Sequence, residues 1–378
     1  MKFSISREAM LPALQTASSA TQKKTQLPVL SHVLLTVEDD QLTISGTDTQ
    51  TQVTTCVRID EQKIESGSLS VPAAKLVDLV RLSPDGSVLN FSLGEDRLVL
   101  SWGKSRYRLQ QLPPEHFPAF SSEDQSFAVL KLPAEVFVEA LTRVKFAMAK
   151  DDCRYYLNGI CLEVNETSLI TTASNGHILS RCQTEITASD ETEIGSIGDG
   201  RIFPRTAVIE MVGMLNKLIN NGPAAHVELM IGQRTAKITL GNVSLFTRFI
   251  DGRYPNASRV IPDDFSTTAK VSAADFKSAV DRSLVIGKEE TDSVILDIKE
   301  EAIELSATNA EMESLTESFD CIEFAGTPIQ LAFSGKYLKQ VLEQVDNQEA
   351  HLSLTDRSLV IGDPNHEGWV SIVMPRRI

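Results

Sequence analysis

The chain has 378 residues, 36 of them Lys or Arg and 51 Asp or Glu, which leaves a formal charge of −15. That length is too great for one ordinary core and implies two or three domains, while a composition of 42% hydrophobic and 23% charged residues excludes a disordered chain. No run approaches the roughly 18 apolar residues of a spanning helix, no apolar signal block follows Met1-Lys2-Phe3, and the five scattered cysteines form no disulfide framework, so a soluble cytoplasmic protein is expected.

In chain order, six segments share one pattern: an alternating strand, a small polar or proline break, then an apolar helical stripe. Phe3-Ser4-Ile5 leads to Met10, Leu11 and Leu14, and Leu69-Ser70-Val71-Pro72 to Leu76, Val77, Leu79 and Val80. Val129-Leu130-Lys131-Leu132-Pro133 leads to Val136, Phe137, Ala140 and Leu141, and Ile202-Phe203-Pro204 to Val208, Ile209 and Val212. Val271-Ser272 leads to Phe276, Ala279 and Val280, and Ile329-Gln330-Leu331 to Tyr337, Leu338, Val341 and Leu342. Such spacing buries one stripe of a helix, and Ser, Thr or Pro at the strand end suits a helix start. The segments recur every 59 to 73 residues, with alternating hairpins between them, for instance at Val33–Val37, Gln41–Ile44, Leu157–Val164, Ser168–Thr172 and Val294–Ile298. The pattern predicts an α+β fold of six half-domains paired into three similar domains, each with two helices packed on antiparallel sheets. The expected limits are 1–125, 126–266 and 267–378, at polar joints near Ser121–Ser126 and Phe265–Thr268.

Enzyme signatures fail. Gly103-Lys104-Ser105 resembles the end of a phosphate-binding loop, but Leu98 stands where that motif needs glycine. Gly195, Gly198 and Gly200 run in the wrong order for a dinucleotide fingerprint. Cys153, Cys161, His177 and Cys182 lack the close pair of a zinc site and read as buried thiols plus a turn histidine. His177 is also the one residue around which an α+β enzyme reading can be built, as a general base. No catalytic residue, cofactor or metal is expected.

Several strings converge on one family. Arg154-Tyr155-Tyr156-Leu157-Asn158-Gly159, Asp251-Gly252-Arg253-Tyr254-Pro255, Arg259-Val260-Ile261-Pro262 and the terminal Val373-Met374-Pro375-Arg376-Arg377-Ile378 resemble the bacterial sliding clamps, the beta subunits of DNA polymerase III. Met1-Lys2-Phe3, Leu27-Pro28-Val29-Leu30 and Gly46-Thr47-Asp48 match as well, so the likeness runs end to end. The resemblance implies a non-enzymatic processivity factor whose chains close as a head-to-tail dimer into a ring around duplex DNA. Twelve helices side by side at about 10 Å trace a circle roughly 38 Å across at their axes, which leaves room for a duplex and water. A diverged clamp-like paralogue serving repair or drug resistance is the alternative within the same family.

Residue roles follow from the resemblance alone. Family DNA contacts fall near Lys24, Lys150, Tyr155 and Tyr156, with Arg205 and Lys217 as additions. Partners implied are the DNA polymerase III alpha subunit, the clamp loader, other polymerases and repair proteins, each docking a short peptide with Leu and Phe anchors; no membrane is involved. The matching groove positions are Leu157, Ser174, Gly176, His177, Leu179, Pro255, Arg259, Val260, Tyr337, Val373, Met374, Pro375 and Arg376. The sequence departs from the family at Ser174-Asn175 (commonly Thr-Asp), at Ile178 (basic), at Ala74 (often Arg) and at Arg376 (apolar). Arg376 is expected to make the groove rim more basic and to favour peptides with acidic flanks. At the dimer contact, Lys104 and Arg106 on the strand 104–109 face Glu311, Glu313 and Glu317, while Tyr107 and Leu109 meet Val285 and Ile286.

Charge distribution agrees with this reading. The helical stretches 6–24, 73–82, 134–150, 205–217, 273–288 and 335–345 carry +7 between them, so the remainder carries −22 of the −15 total. An acidic exterior and a mildly basic helical lining allow weak, mobile attraction to phosphates.

Overall fold

A computed structural model describes residues 1–22, 24–59, 64–94, 96–118, 120, 128–186, 193–194, 200–220, 226–287 and 292–376. The first repeat runs β1 (Lys2–Ser6), α1 (Arg7–Ser18), β2 (His32–Glu38), β3 (Gln41–Thr47), β4 (Thr51–Arg58), β5 (Gly67–Pro72), α2 (Ala73–Leu82), β6 (Val88–Leu93), β7 (Arg97–Trp102) and β8 (Ser105–Gln110). The second runs β9 (Ala128–Pro133), α3 (Ala134–Lys145), β10 (Gly159–Val164), β11 (Ser168–Ser174), β12 (Ile178–Glu185), β13 (Glu193–Ile194), β14 (Arg201–Pro204), α4 (Arg205–Asn220), β15 (His226–Ile231), β16 (Thr235–Leu240) and β17 (Val243–Arg248). The third runs β18 (Thr267–Ser272), α5 (Ala273–Ile286), β19 (Ser293–Ile298), β20 (Ala302–Thr308), β21 (Ser314–Gly326), β22 (Ile329–Ser334), α6 (Gly335–Leu342), β23 (Glu349–Thr355), β24 (Ser358–Gly362) and β25 (Trp369–Val373).

All six expected strand-to-helix segments are present, at β1–α1, β5–α2, β9–α3, β14–α4, β18–α5 and β22–α6. Serine at the strand end starts two of these helices directly. Ser6 Oγ accepts from the Ala9 amide and Ser272 Oγ from the Asp275 amide, which satisfies donors that the first helical turn would leave orphaned. One expectation shifts: Tyr155–Leu157 is a 3-10 turn, and the strand expected from Leu157 begins at Gly159. The expected joint over Ser121–Ser126 lies outside the described residues.

The chain divides into two compact units. One comprises Met1–Val138, Ala188–Ile197 and Thr206–Phe249. It holds a four-stranded antiparallel sheet, β1-β6-β7-β8, and a nine-stranded sheet, β13-β9-β15-β16-β17-β4-β3-β2-β5. Alternate residues of β1, β2, β3 and β6 meet the stripes of α1 and α2 in a core that includes Phe3, Leu14, Leu35, Leu76 and Phe91. Phe3 and Phe91 stack at 4.6 Å.

The other unit comprises Glu139–Thr187, Gly198–Arg205 and Ile250–Ile378 and holds one twelve-stranded sheet, β14-β10-β11-β12-β25-β24-β23-β18-β21-β20-β19-β22. Helices α5 and α6 lie side by side, with Phe276 of α5 stacked on Phe319 of β21 at 5.4 Å.

Two local devices recur once per repeat, and a third joins successive repeats. Asp48, Asn175 and Asn309 each turn the chain with a side-chain oxygen that accepts two backbone amides just ahead of it. Isolated bridges Ser70↔Leu112, Ile202↔Ile250 and Ala332↔Arg376 close the far edge of one half-domain onto the residue following the other. The third device is a seam. The last strand of one repeat's second half pairs antiparallel with the strand after the Asx turn of the preceding repeat, as β17 with β4 and β25 with β12.

The β12/β25 seam is reinforced beneath. Trp369 Nε1 donates to the Arg143 carbonyl and to Ser180 Oγ, both at 3.0 Å. The buried Arg143 guanidinium donates to the Gln344 carbonyl and the Asp346 carboxylate and lies 3.7 Å from Asp363. Among the described residues, Asp346, Asp363 and His366 are the one acid–histidine grouping close enough to hold a metal ion, and the Arg143 guanidinium already supplies a positive charge there.

Gly159 shows what the strand pairing demands. A Cβ there would sit 2.2 Å from the Phe203 carbonyl oxygen across the β10/β14 pair, and the contact is backbone that no rotamer change relieves. Gly159→Ala is therefore expected to cost about 2 kcal/mol or more, read as a lower denaturant midpoint in chemical unfolding followed by circular dichroism.

Candidate partner groove and nucleic-acid surface

The candidate groove residues all fall in the second unit, and several of them share one cluster. Leu179 on β12 packs with Val360 and Ile372, and Val260 and Met374 lie against that cluster with Ala257, Ile261 and Val370. The ring of His177 stacks on Tyr337 of α6 at 5.8 Å and 17°. Two backbone links set these walls. Ile178 pairs with Val373 in the β12/β25 ladder, and the Met374 amide donates to the His177 carbonyl at 2.9 Å. Ser174 Oγ donates to the Ile178 carbonyl and accepts from the Gly176 amide, so the Asx turn holds Gly176 and His177 exposed at the rim. Gly176 has φ +88, and a Cβ there would meet the Arg154 guanidinium at 2.8 Å.

Leu157 belongs to a neighbouring cluster with Ala149, Cys161, Ile202 and Tyr254. Burial pushes the Tyr254 hydroxyl pKa well up. Pro255 and Arg259 are exposed on the chain that follows, while Val373 is fully buried. Ile178, expected as a departure that removes a basic residue, is a buried strand residue 1% exposed. Cys161 and Cys182 are buried, and burial pushes the Cys182 thiol up, whereas Cys153 is exposed.

Arg376 departs from the expectation of a bare basic rim. Its Nη2 lies 2.7 Å from Asp292 Oδ1, and Asp292 is 5% exposed. Burial alone would push the Asp292 carboxyl up. The Ser334 hydroxyl, the Arg376 guanidinium and the Lys336 amide outweigh it and hold the group below the usual carboxylate value. The positive charge expected for incoming peptides is thus already neutralised by a buried acid.

The nucleic-acid candidates fall in both units. Lys24 is exposed after α1, and Lys217 is exposed in the last turn of α4. In the other unit Lys150 and Tyr155 are exposed, Tyr155 by 57%, whereas Tyr156 packs against the Leu157 cluster. The two tyrosine rings meet edge to face at 6.0 Å. Arg205 donates one guanidinium nitrogen to the Met148 carbonyl at 3.0 Å, which leaves only its remaining N–H groups for any other partner. Arg154, overlooked as a candidate, anchors this loop with a two-point bond to Asp152 and a further bond to the Asn175 carbonyl.

Of the expected dimer residues, Arg106, Tyr107 and Leu109 lie on β8 and Glu317 on β21, while Lys104, Glu311 and Glu313 lie in the turns leading into those strands and Val285 and Ile286 at the end of α5. Among the described residues, β8 pairs only with β7, and residues 314–320 of β21 pair only with β20. Arg106 and Arg108 project outward from β8, and Lys104 sits in the turn beside Gly103. Leu109 is 8% exposed and packs in its own unit's core, so it reaches a second chain less than expected; Tyr107 is half-buried and partly available. Val285 is 81% exposed and Ile286 half-buried. Glu311 and Glu313 are exposed, with Glu313 held by Asn309, and Glu317 is bound at two points by Arg282 within the same chain. Exposed apolar side chains that the sequence reading did not single out include Leu82 at the end of α2 (77%) and Met312 in the third Asx turn (82%), and Ile209, expected in the buried stripe of α4, is 50% exposed.

Models of the N-terminal, central and C-terminal domains of the DNA polymerase III beta subunit match residues 1–121, 131–256 and 258–377. The chain is 31% identical to the beta sliding clamp of Haemophilus influenzae and 30% to those of Vibrio cholerae and Escherichia coli, covering 100% of each pair. Crystal structures of the Pseudomonas aeruginosa DNA polymerase III subunit beta, one of them bound to griselimycin, superpose with a TM-score of 0.92 at 28% identity over 100% of both chains. Three clamp domains, each built of helices on antiparallel sheets, thus account for the whole length, and the chain belongs to the DNA polymerase III beta subunit family of sliding clamps.

Proposed function

We propose that two copies of this chain close head to tail into a ring around duplex DNA and tether polymerases to it, without catalysing a reaction. One observation carries the reading: the seam that recurs inside the chain has one further pair of edges to satisfy. β17 joins β4 and β25 joins β12. By the same rule the last strand of the first repeat, β8, joins β21 of the third repeat, which a second copy supplies. Two such contacts between two copies close a ring, and closure replaces affinity with linkage.

The register of the new seam follows from the old one. The β16/β17 and β7/β8 hairpins both turn in two residues, after Leu240↔Val243 and Trp102↔Ser105. The Asx turns align Thr47↔Gln52 with Thr308↔Ser314. Transferring Leu245↔Val53 then sets Tyr107 opposite Leu315, with Arg106 opposite Thr316. Leu82, Val285 and Met312 supply apolar surface around that pair, and Lys104 and Arg106 oppose an acidic neighbourhood that contains Glu311 and Glu313.

Lys24, Lys150, Tyr155, Arg205 and Lys217 serve as sequence-independent phosphate contacts, and the groove around Leu179, Val260, Met374, His177 and Tyr337 takes a short peptide with Leu and Phe anchors. The peptide's owners are the alpha subunit, the clamp loader and other polymerases and repair proteins. Domain limits at 125/126 and 266/267 and a cytoplasmic location complete the proposal. No helix of the described residues is long and apolar enough to cross a membrane.

Encirclement has its own signature. After loading with clamp loader and ATP, the protein is expected to stay on nicked circular DNA through a salt wash and to leave when the circle is linearised; loss from both forms alike would reduce it to an ordinary DNA binder. Leu315→Asp places an unpaired charge at the seam and is expected to raise the monomer fraction in analytical ultracentrifugation, and a variant that stays dimeric on dilution would rule out the β8/β21 seam. In the groove, Met374→Ala is expected to weaken a Leu- and Phe-anchored polymerase-tail peptide about tenfold, measured by titration; unchanged affinity would remove the assignment.

A further inference from the structure

Three equivalent positions close the half-domain edges: Leu112, Ile250 and Arg376. Two are apolar. The third, in the repeat that lines the groove, is an arginine paired with a buried acid. Asp292 itself occupies the place of Asn158 in the second repeat, since the Asn158 carbonyl accepts from the first amide of α4 and the Asp292 carbonyl from the first amide of α6, at 2.9 and 2.7 Å. The ion pair is thus peculiar to the third repeat.

Its location links the two groove walls. On one side the segment Met374-Pro375-Arg376 is held at both ends, by the Met374 amide on the His177 carbonyl and by the Arg376 amide on the Ala332 carbonyl at 2.7 Å. On the other side lies the first turn of α6, which carries Tyr337. Ser334, the residue before α6, makes no capping bond to a helix amide with its own side chain; its hydroxyl donates to the Asp292 carboxylate, and the Lys336 amide lies 3.4 Å from the same oxygen. Gly335 is seated tightly, since an added Cβ would lie 2.9 Å from Leu284 Cδ2 and 3.0 Å from Val294 Cγ2. One oxygen of Asp292 therefore fixes the start of α6 while the other holds Arg376.

We infer that Arg376 and Asp292 are a positioning pair that locks Met374 and Tyr337 at a fixed separation, so that the peptide groove is formed before a peptide arrives. This role rests on the groove reading above and replaces direct attraction of acidic peptides by Arg376. A wall held in place removes part of the ordering cost of binding, and losing it lowers the fraction of molecules competent to bind.

The test uses the full-length chain and a short fluorescein-labelled peptide with Leu and Phe anchors, prepared with neutral and with acidic flanks and followed by equilibrium and stopped-flow anisotropy. Arg376→Ala is expected to weaken both peptides by the same factor, about fivefold, through slower association with dissociation little changed. Arg376→Lys, which keeps a positive charge near Asp292, is expected to recover most of that loss. Asp292→Asn is expected to match Arg376→Ala, and the double variant to lose no more than either alone. A loss confined to the acidic-flanked peptide, or one carried by faster dissociation, means that Arg376 touches the peptide and overturns the positioning role, as does unchanged binding in Arg376→Ala. Failure of the groove reading looks different and overturns both: the wild-type chain and Met374→Ala then bind the peptide equally, or neither binds it.

Discussion

A strand at the edge of a sheet presents a row of backbone donors and acceptors that must find a partner or stay wet. Leaving one such group buried and unsatisfied costs about 1–3 kcal/mol. In this chain the constraint is met the same way each time it arises internally, by pairing β17 with β4 and β25 with β12. The sheets grow to nine and twelve strands through those two seams, with β18 also joining β23 to β21 in the larger one, while β1-β6-β7-β8 stays a separate four-stranded sheet. Among the described residues, β8 and residues 314–320 of β21 each keep one edge without a strand partner, and the proposed ring pairs them.

The half-domain repeat was legible because it rests on local rules. Alternating strands such as Phe3-Ser4-Ile5 and the stripe Leu76–Val80 encode their element by periodicity, and Ser6 and Ser272 mark the helix starts. The seams were not legible, since a strand's sequence states its faces but not its lateral neighbour. The groove could be placed through motif likeness, yet the state of its residues could not. Arg376 reads as a free charge until Asp292, 84 positions earlier, is found against it. Leu109 reads as an interface residue until its burial in its own core is seen.

The proposed groove combines two kinds of support. Its apolar floor of Leu179, Val360 and Ile372 comes from strand register, since the β12/β25 and β24/β25 pairings bring those side chains to one face. Its rim comes from turns and polar anchors: the Asx turn at Asn175, the His177–Tyr337 stack, and the acid beneath Arg376.

The buried Arg143 beneath the β12/β25 seam has a mechanical consequence. It is the tenth residue of α3, and the tenth residue of α5 is Arg282. Arg143 is 6% exposed and is bolted to Asp346 and the Gln344 carbonyl, while Arg282 is 57% exposed and holds only Glu317 of its own β21. In the proposed ring the seam between copies thus has the same zipper as the internal one but lacks the bolt and the Trp369 indole behind it. The tenth residue of α1 is Thr16, so the β4/β17 joint inside the chain is likewise without that bolt, and of the two internal seams only β12/β25 carries the reinforcement.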